Sequence, residues 1–139
     1  MANQRLEESR IRAFFITTGT LGILAVVLGA FGAHALKESI TEVRLLAYKT
    51  GIQYHFYHLL AMFAITAIYV QRPSKQLFFA FRFFLAGIIL FSGSLYLLST
   101  QDIIGVNMKW LGPITPIGGL AFIIGWIFII LAALSKEHK

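Results

Sequence analysis

In 139 residues the chain is 58% hydrophobic and only 13% charged, with a mean hydropathy of +0.76. That is too little charge to solvate a soluble domain, and the apolar residues arrive in four long blocks, so the sequence reads as an all-α integral membrane four-helix bundle forming a single transmembrane domain. The net charge of +6 does not imply nucleic acid, because most basic residues flank apolar blocks, and the lack of cysteine excludes disulfides, thiol catalysis and thiolate metal sites.

The N-terminal "MANQRLEESRIR" is polar and mixed in charge. It leads into an apolar stretch too long for a signal-peptide core and with no cleavage pattern after it, so it is expected to be retained. The first span is about 13–33, close to the roughly 20 residues needed to cross the hydrocarbon. Gly19, Gly22, Ala25, Gly29 and Ala33 recur at three- and four-residue spacing and predict a face that packs closely on a neighbour.

"SITE" (39–42) fits a capping box, with Ser39 capping and Glu42 reaching back, and predicts a helix over 40–70. Such a helix is about 46 Å long against a core of roughly 30 Å, so Glu42, Arg44 and Lys49 belong outside the bilayer or in its interface. The second span is then about 50–70, and Gly51 is a candidate break before it. After the "QRPSK" turn, Ser74 can cap a third span over 75–99, with Arg82 near its start reaching back to the headgroups. In "GPITPIGG", Thr115 can cap and Pro116 can take the first helical position of a fourth span, 116–134. No Walker lysine follows that glycine-rich stretch, so it reads as a helix start and not a phosphate loop.

Lysine and arginine counts set the orientation. Arg5, Arg10, Arg12, Arg72, Lys75, Arg82, Lys136 and Lys139 share one side, against Lys37, Arg44, Lys49 and Lys109 on the other. Both termini are therefore expected in the cytoplasm.

The second span opens with "QYHFYH" (53–58). Counting back from Val70 at 1.5 Å per residue puts His58 about 18 Å into the membrane, His55 about 22 Å and Gln53 about 25 Å. His34 ends span 1 on that outer side, Ser92, Ser94 and Tyr96 lie in the outer half of span 3, and Thr115 opens span 4 there. With Lys49 and Tyr54 these residues form a candidate intramembrane polar cluster in one leaflet. On the helix, Lys49, Gln53 and Tyr57 make one stripe, and Gly51, His55, His58 and Met62 another, with Tyr54 beside the second. Two polar stripes cannot both face lipid without cost, so span 2 should be the central helix or a surface for a partner subunit.

Four blocks, "GAFGAHALK" (29–37), "QYHFYH", "GIILFSGSLYLL" (87–98) and "GPITPIGGLAFIIGW" (112–126), together resemble the domain-of-unknown-function 423 family over roughly residues 10–135. It is also called transmembrane-protein-256-like: small four-helix proteins of bacterial inner membranes with a mitochondrial relative. The resemblance implies a fold and a location, the multi-pass bacterial inner membrane, and brings no catalytic residues.

The leading expectation is that the cluster hydrogen-bonds helix to helix, in a structural, assembly or accessory subunit of a larger membrane complex. Its partners would then be the lipid bilayer and other membrane subunits or further copies of the chain. The alternatives are a conduit or carrier for a small solute or ion, and a quinone- or lipid-binding protein using the His/Gln/Tyr cluster. Against proton-coupled transport, none of the four spans contains Asp or Glu. Haem is disfavoured because His55 and His58 share one helix face and His34 differs from His58 in depth. The His-x-x-His pair lacks a third strong metal ligand, so neither cofactor nor metal is expected. No nucleophile–base constellation is visible, and the chain is not read as an enzyme.

Overall fold

The computed structural model describes residues 2–135, with side chains from Gln4 onward. Lys136 and Lys139, which entered the charge count, lie outside the described residues. The chain forms helices α1 (Ala2–His34), α2 (Glu42–Gln71), α3 (Lys75–Gly87), α4 (Gly93–Ile104) and α5 (Ile114–Leu134). A π-helical turn, Ile88–Ser92, joins α3 to α4 into one rod, and a short 3-10 turn, Lys109–Leu111, precedes α5. Four rods result, and no strand occurs among the described residues.

Three rods, Gln4–His34, Lys75–Ile104 and Lys109–Leu134, are long and apolar enough to cross a membrane. The remaining helix, α2, has 30 residues but is not among them. Tyr54, His55, Tyr57 and His58 dilute its apolar half. It occupies the centre instead, packing on α1, α3, the π turn and α4. Tyr69 near the end of α2 bonds Glu7 near the start of α1, and Arg44 near the start of α2 pairs with Asp102 near the end of α4. Neighbouring rods therefore run antiparallel, and the described start of α1 lies at the same end of the bundle as the end of α2.

Several boundaries differ from the sequence expectation, each for a local reason. Helix α1 starts well before residue 13 because "ANQRLEESR" consists largely of good helix formers, tied by the Glu7–Arg10 ion pair at 2.9 Å. The capping box does not form. Ser39 turns its hydroxyl back onto the Ala35 carbonyl (3.0 Å), so α2 begins at Glu42 after Thr41, which makes no side-chain cap. Gly51 does not break α2; it is buried, and a Cβ there would stand 2.9 Å from the Tyr96 ring. The third rod continues past Ser99 to Ile104, where Gly105 closes it in the left-handed conformation at φ 73°. Thr115 does not cap α5, which starts at Ile114 after Pro113; its hydroxyl is engaged by Ser94. Pro116 still sits in the first turn, where its missing N–H leaves nothing unsatisfied.

The expected Ser74 cap is present: its hydroxyl accepts from the Leu77 N–H at 3.1 Å. Ser74→Ala is therefore expected to destabilise the protein by about 1 kcal/mol in detergent thermal melts, whereas Ser74→Asp keeps wild-type stability. Melting of the two variants at the same temperature would show that the cap contributes nothing.

The core is aromatic and glycine-notched. Phe14 of α1 stacks on Phe81 of α3 (3.8 Å between centroids, 7°), beside buried Tyr69 and Phe84. The tightest seam joins α5 to the α3–π rod. At Gly118 an added Cβ would lie 2.3 Å from the Phe91 backbone nitrogen, and at Gly87 the same distance from the Phe122 ring. These are close helix approaches that only glycine permits.

Candidate functional site

The two faces of α2 have different fates. His55 and His58 are buried, 2% and 5% exposed, while Lys49, Gln53, Tyr54 and Tyr57 remain exposed. The expected single cluster is divided accordingly.

His58 is held from all sides. Its ring stacks on Phe122 (3.5 Å, 8°) and meets the edge of Phe84. The Trp126 indole N–H donates to Nε2 at 3.2 Å, and Nδ1 lies 2.8 Å from the Tyr54 carbonyl. An indole can only donate and a carbonyl can only accept, so the imidazole is neutral with its proton on Nδ1.

His55 belongs to a different chain of contacts. Its Nδ1 lies 3.1 Å from the Tyr96 hydroxyl, and Tyr96 packs on Tyr48, whose hydroxyl donates to the Leu28 carbonyl of α1 at 2.8 Å. That path joins α1, α2 and α4. Across the bundle, Ser94 donates to the Phe91 carbonyl (2.9 Å) and accepts from Thr115 of α5 at 2.7 Å. Ser92, at the end of the π turn, is wholly buried.

The other expected members stand apart. His34 is exposed at the end of α1. Lys49 is exposed on α2, and Gln53 donates to Tyr57 one turn along the same helix. Several functional groups escaped sequence reasoning. Tyr48, Trp126 and Phe122 are integral to the buried network, and an indole or phenol inside a span was itself a signal, since each needs a partner. The end clusters were also unforeseen. Tyr69 donates to Glu7, Arg10 pairs with Glu7, and Arg10 lies over the Phe78 ring. The hydrogen bond to Tyr69 is the main influence raising Arg10 above its ordinary value, so this group stays protonated.

Between α2 and α5 lies an open cleft of about 660 Å³. Tyr54, Tyr57, His58, Phe91, Phe122 and Trp126 line it, six aromatic rings of which four carry a polar atom. Gly119 on α5 leaves it open: a Cβ there would meet only the Phe91 ring, at 3.8 Å. The arrangement can hold a flat apolar group and offer it phenolic hydrogen-bond donors.

A family model described as "Protein of unknown function (DUF423)" matches residues 28–119. The chain is 44% identical over 127 residues to UPF0382 membrane protein YwdK of Bacillus subtilis (strain 168), an alignment covering 90% of this chain and 98% of that protein. It is 44% identical over 119 residues to UPF0382 membrane protein SAB0533 of Staphylococcus aureus (strain bovine RF122 / ET3-1), covering 85% and 93%. To UPF0382 inner membrane protein YgdD of Escherichia coli (strain K12) it is 31% identical over 128 residues, covering 92% and 94%. No solved structure matches. With near full-length relatives named as membrane proteins and three membrane-length apolar rods, the chain is a multi-pass inner-membrane protein, and it belongs to the DUF423 family.

Proposed function

We propose that the protein is a non-catalytic accessory subunit of a larger membrane assembly, both termini cytoplasmic, docking through the outward flank of α2. One observation carries this reading: α2, which among the described rods lacks a membrane-length apolar window, leaves Lys49 and Gln53 exposed. Lys49 has no ion-pair partner among the described residues. Gln53 lies inside the proposed span, where a polar group toward lipid is unfavourable, and a subunit that offers it an acceptor, and an acidic group to Lys49 at the interface, removes the penalty. The buried polar groups support the same reading, because His58 has both ring nitrogens engaged and Ser94 and Thr115 engage each other. They fix the packing of a rigid body. The second span, 50–70, and the cytoplasmic termini belong to this proposal and rest on helix length and the lysine and arginine asymmetry.

The test is affinity purification in mild detergent after in-cell crosslinking. The wild type is expected to carry a stoichiometric membrane partner or a second copy of itself. Lys49→Glu is expected to lose that partner at unchanged expression and melting temperature, since the side chain is exposed and makes no ion pair among the described residues. A wild type that runs as a lone monomer, or a Lys49→Glu variant retaining the same partner, refutes the docking face.

A further inference from the structure

The α2–α5 cleft begins at Tyr54 on α2; it shares the span 50–70 with the docking reading but does not depend on the partner. From its depth, walls and donors we infer that it binds the head of a membrane-dissolved quinone.

Depth comes first. Tyr57 and Tyr54 stand 14 and 17 residues from Gln71 at the end of α2, so at 1.5 Å each they lie about 21 and 26 Å along the helix. On α5 the cleft reaches from Pro116 to Trp126, about 15 Å along the axis. Measured against a hydrocarbon core of about 30 Å, Tyr57 sits well below the headgroups. Phospholipid ester carbonyls lie at the interface, above it. A carbonyl at the level of Tyr57 fits a molecule whose polar ring dissolves in the hydrocarbon, as a quinone ring does.

The walls are rings. Tyr54 lies 4.7 Å from Phe91, Phe91 lies 5.6 Å from Phe122, and Phe122 is stacked on His58 with Trp126 edge-on to that imidazole. Such surfaces accept a flat ring by offset or edge contact. A cleft of about 660 Å³ is within the range of small-molecule sites, which are mostly apolar with a few convergent polar groups.

The donors complete the match. Trp126 and His58 occupy each other. Tyr57 accepts from the Gln53 amide, which leaves its own O–H proton free to donate and makes it a better donor. The Tyr54 hydroxyl has no hydrogen-bond partner among the described residues, and both tyrosines line the cleft. Two phenols with protons to donate recognise carbonyl acceptors.

The experiment uses the full chain in detergent, carrying Trp110→Phe so that Trp126 is the remaining fluorophore, and a short-chain benzoquinone as quencher. Quenching is expected to saturate. Tyr57→Phe should weaken binding about fivefold, the effect of one hydrogen bond, and Gly119→Leu, which fills the cleft beside Phe91, should abolish saturation. Both positions are at the surface of the cleft, so unchanged melting curves will establish that the variants fold. Linear quenching that is the same in wild type and Tyr57→Phe overturns the inference. So does competitive displacement of the quinone by a phospholipid brominated in its acyl chains, which makes the occupant a lipid. Neither Tyr57→Phe nor Gly119→Leu alters Lys49, so a failure here leaves the docking reading standing, and retention of the partner in Lys49→Glu leaves this one standing.

Discussion

Gly118→Ala, a change of one methyl group, is expected to lower stability by about 3 kcal/mol or more, and Gly118→Leu to prevent the bundle from assembling. The added Cβ would lie 2.3 Å from the Phe91 nitrogen, 2.7 Å from its Cα and 2.8 Å from the Leu90 carbonyl carbon. All three are backbone atoms of the π turn and its edge, so no side-chain rotation relieves the overlap. Helix α5 must move away by an ångström or more. The same helix is seated one and two turns further on, where Phe122 fits against Gly87 and Phe84 against Gly125. A shift at Gly118 therefore loosens two more contacts. Gly19 is the control: nothing lies within 4 Å of a Cβ there, and Gly19→Ala should be neutral or slightly stabilising. Gly125→Ala should fall between, because its main obstruction is the Phe84 ring. Thermal unfolding in one detergent orders the three variants, and a melt for Gly118→Ala that coincides with Gly19→Ala rules out the backbone seam as the constraint.

That seam marks where the sequence stopped being informative. Apolar length and small-residue spacing are local properties, and they were enough for four helices, the start of α3 at Ser74 and the end of α5 at Leu134. The start of α2 was misplaced because Ser39 had two acceptable uses, capping forward or bonding back to Ala35. Sequence spacing cannot rank those. Thr115 posed the same choice and took a partner 21 residues away. The contacts of the polar residues were not legible in the sequence. Depth needs only the rise per residue, whereas contact depends on how each helix is rotated, and that is decided by where glycine admits a ring. Gly51 and Gly32 admit Tyr96 and Tyr48, which turns His55 inward and leaves Gln53 outside. The π turn had no signature short of this packing. It widens the rod at Ile88–Ser92, where Gly118 meets it, and the cleft that includes Phe91 opens beside it.

His58→Ala is expected to lower stability by about 3 kcal/mol, and the loss can be separated into packing and hydrogen bonding. Alanine removes a ring stacked at 3.5 Å on Phe122, which leaves a cavity among Phe84, Phe122 and Trp126. It also removes the only acceptor given to the Trp126 N–H among the described residues. His58→Phe retains the ring and the stack while abolishing the acceptor, and should cost about 1 kcal/mol, near the upper range for polar pairs inside membranes. Trp126→Phe removes the donor instead. If the hydrogen bond is what matters, His58→Phe combined with Trp126→Phe loses about 1 kcal/mol less than the sum of the two single losses. Additive losses across that cycle would mean that His58 acts through its shape alone, a filler for the notch beside Phe122. The cycle therefore tests whether His58, buried in α2 with both nitrogens engaged, contributes through its hydrogen bonds or through its shape.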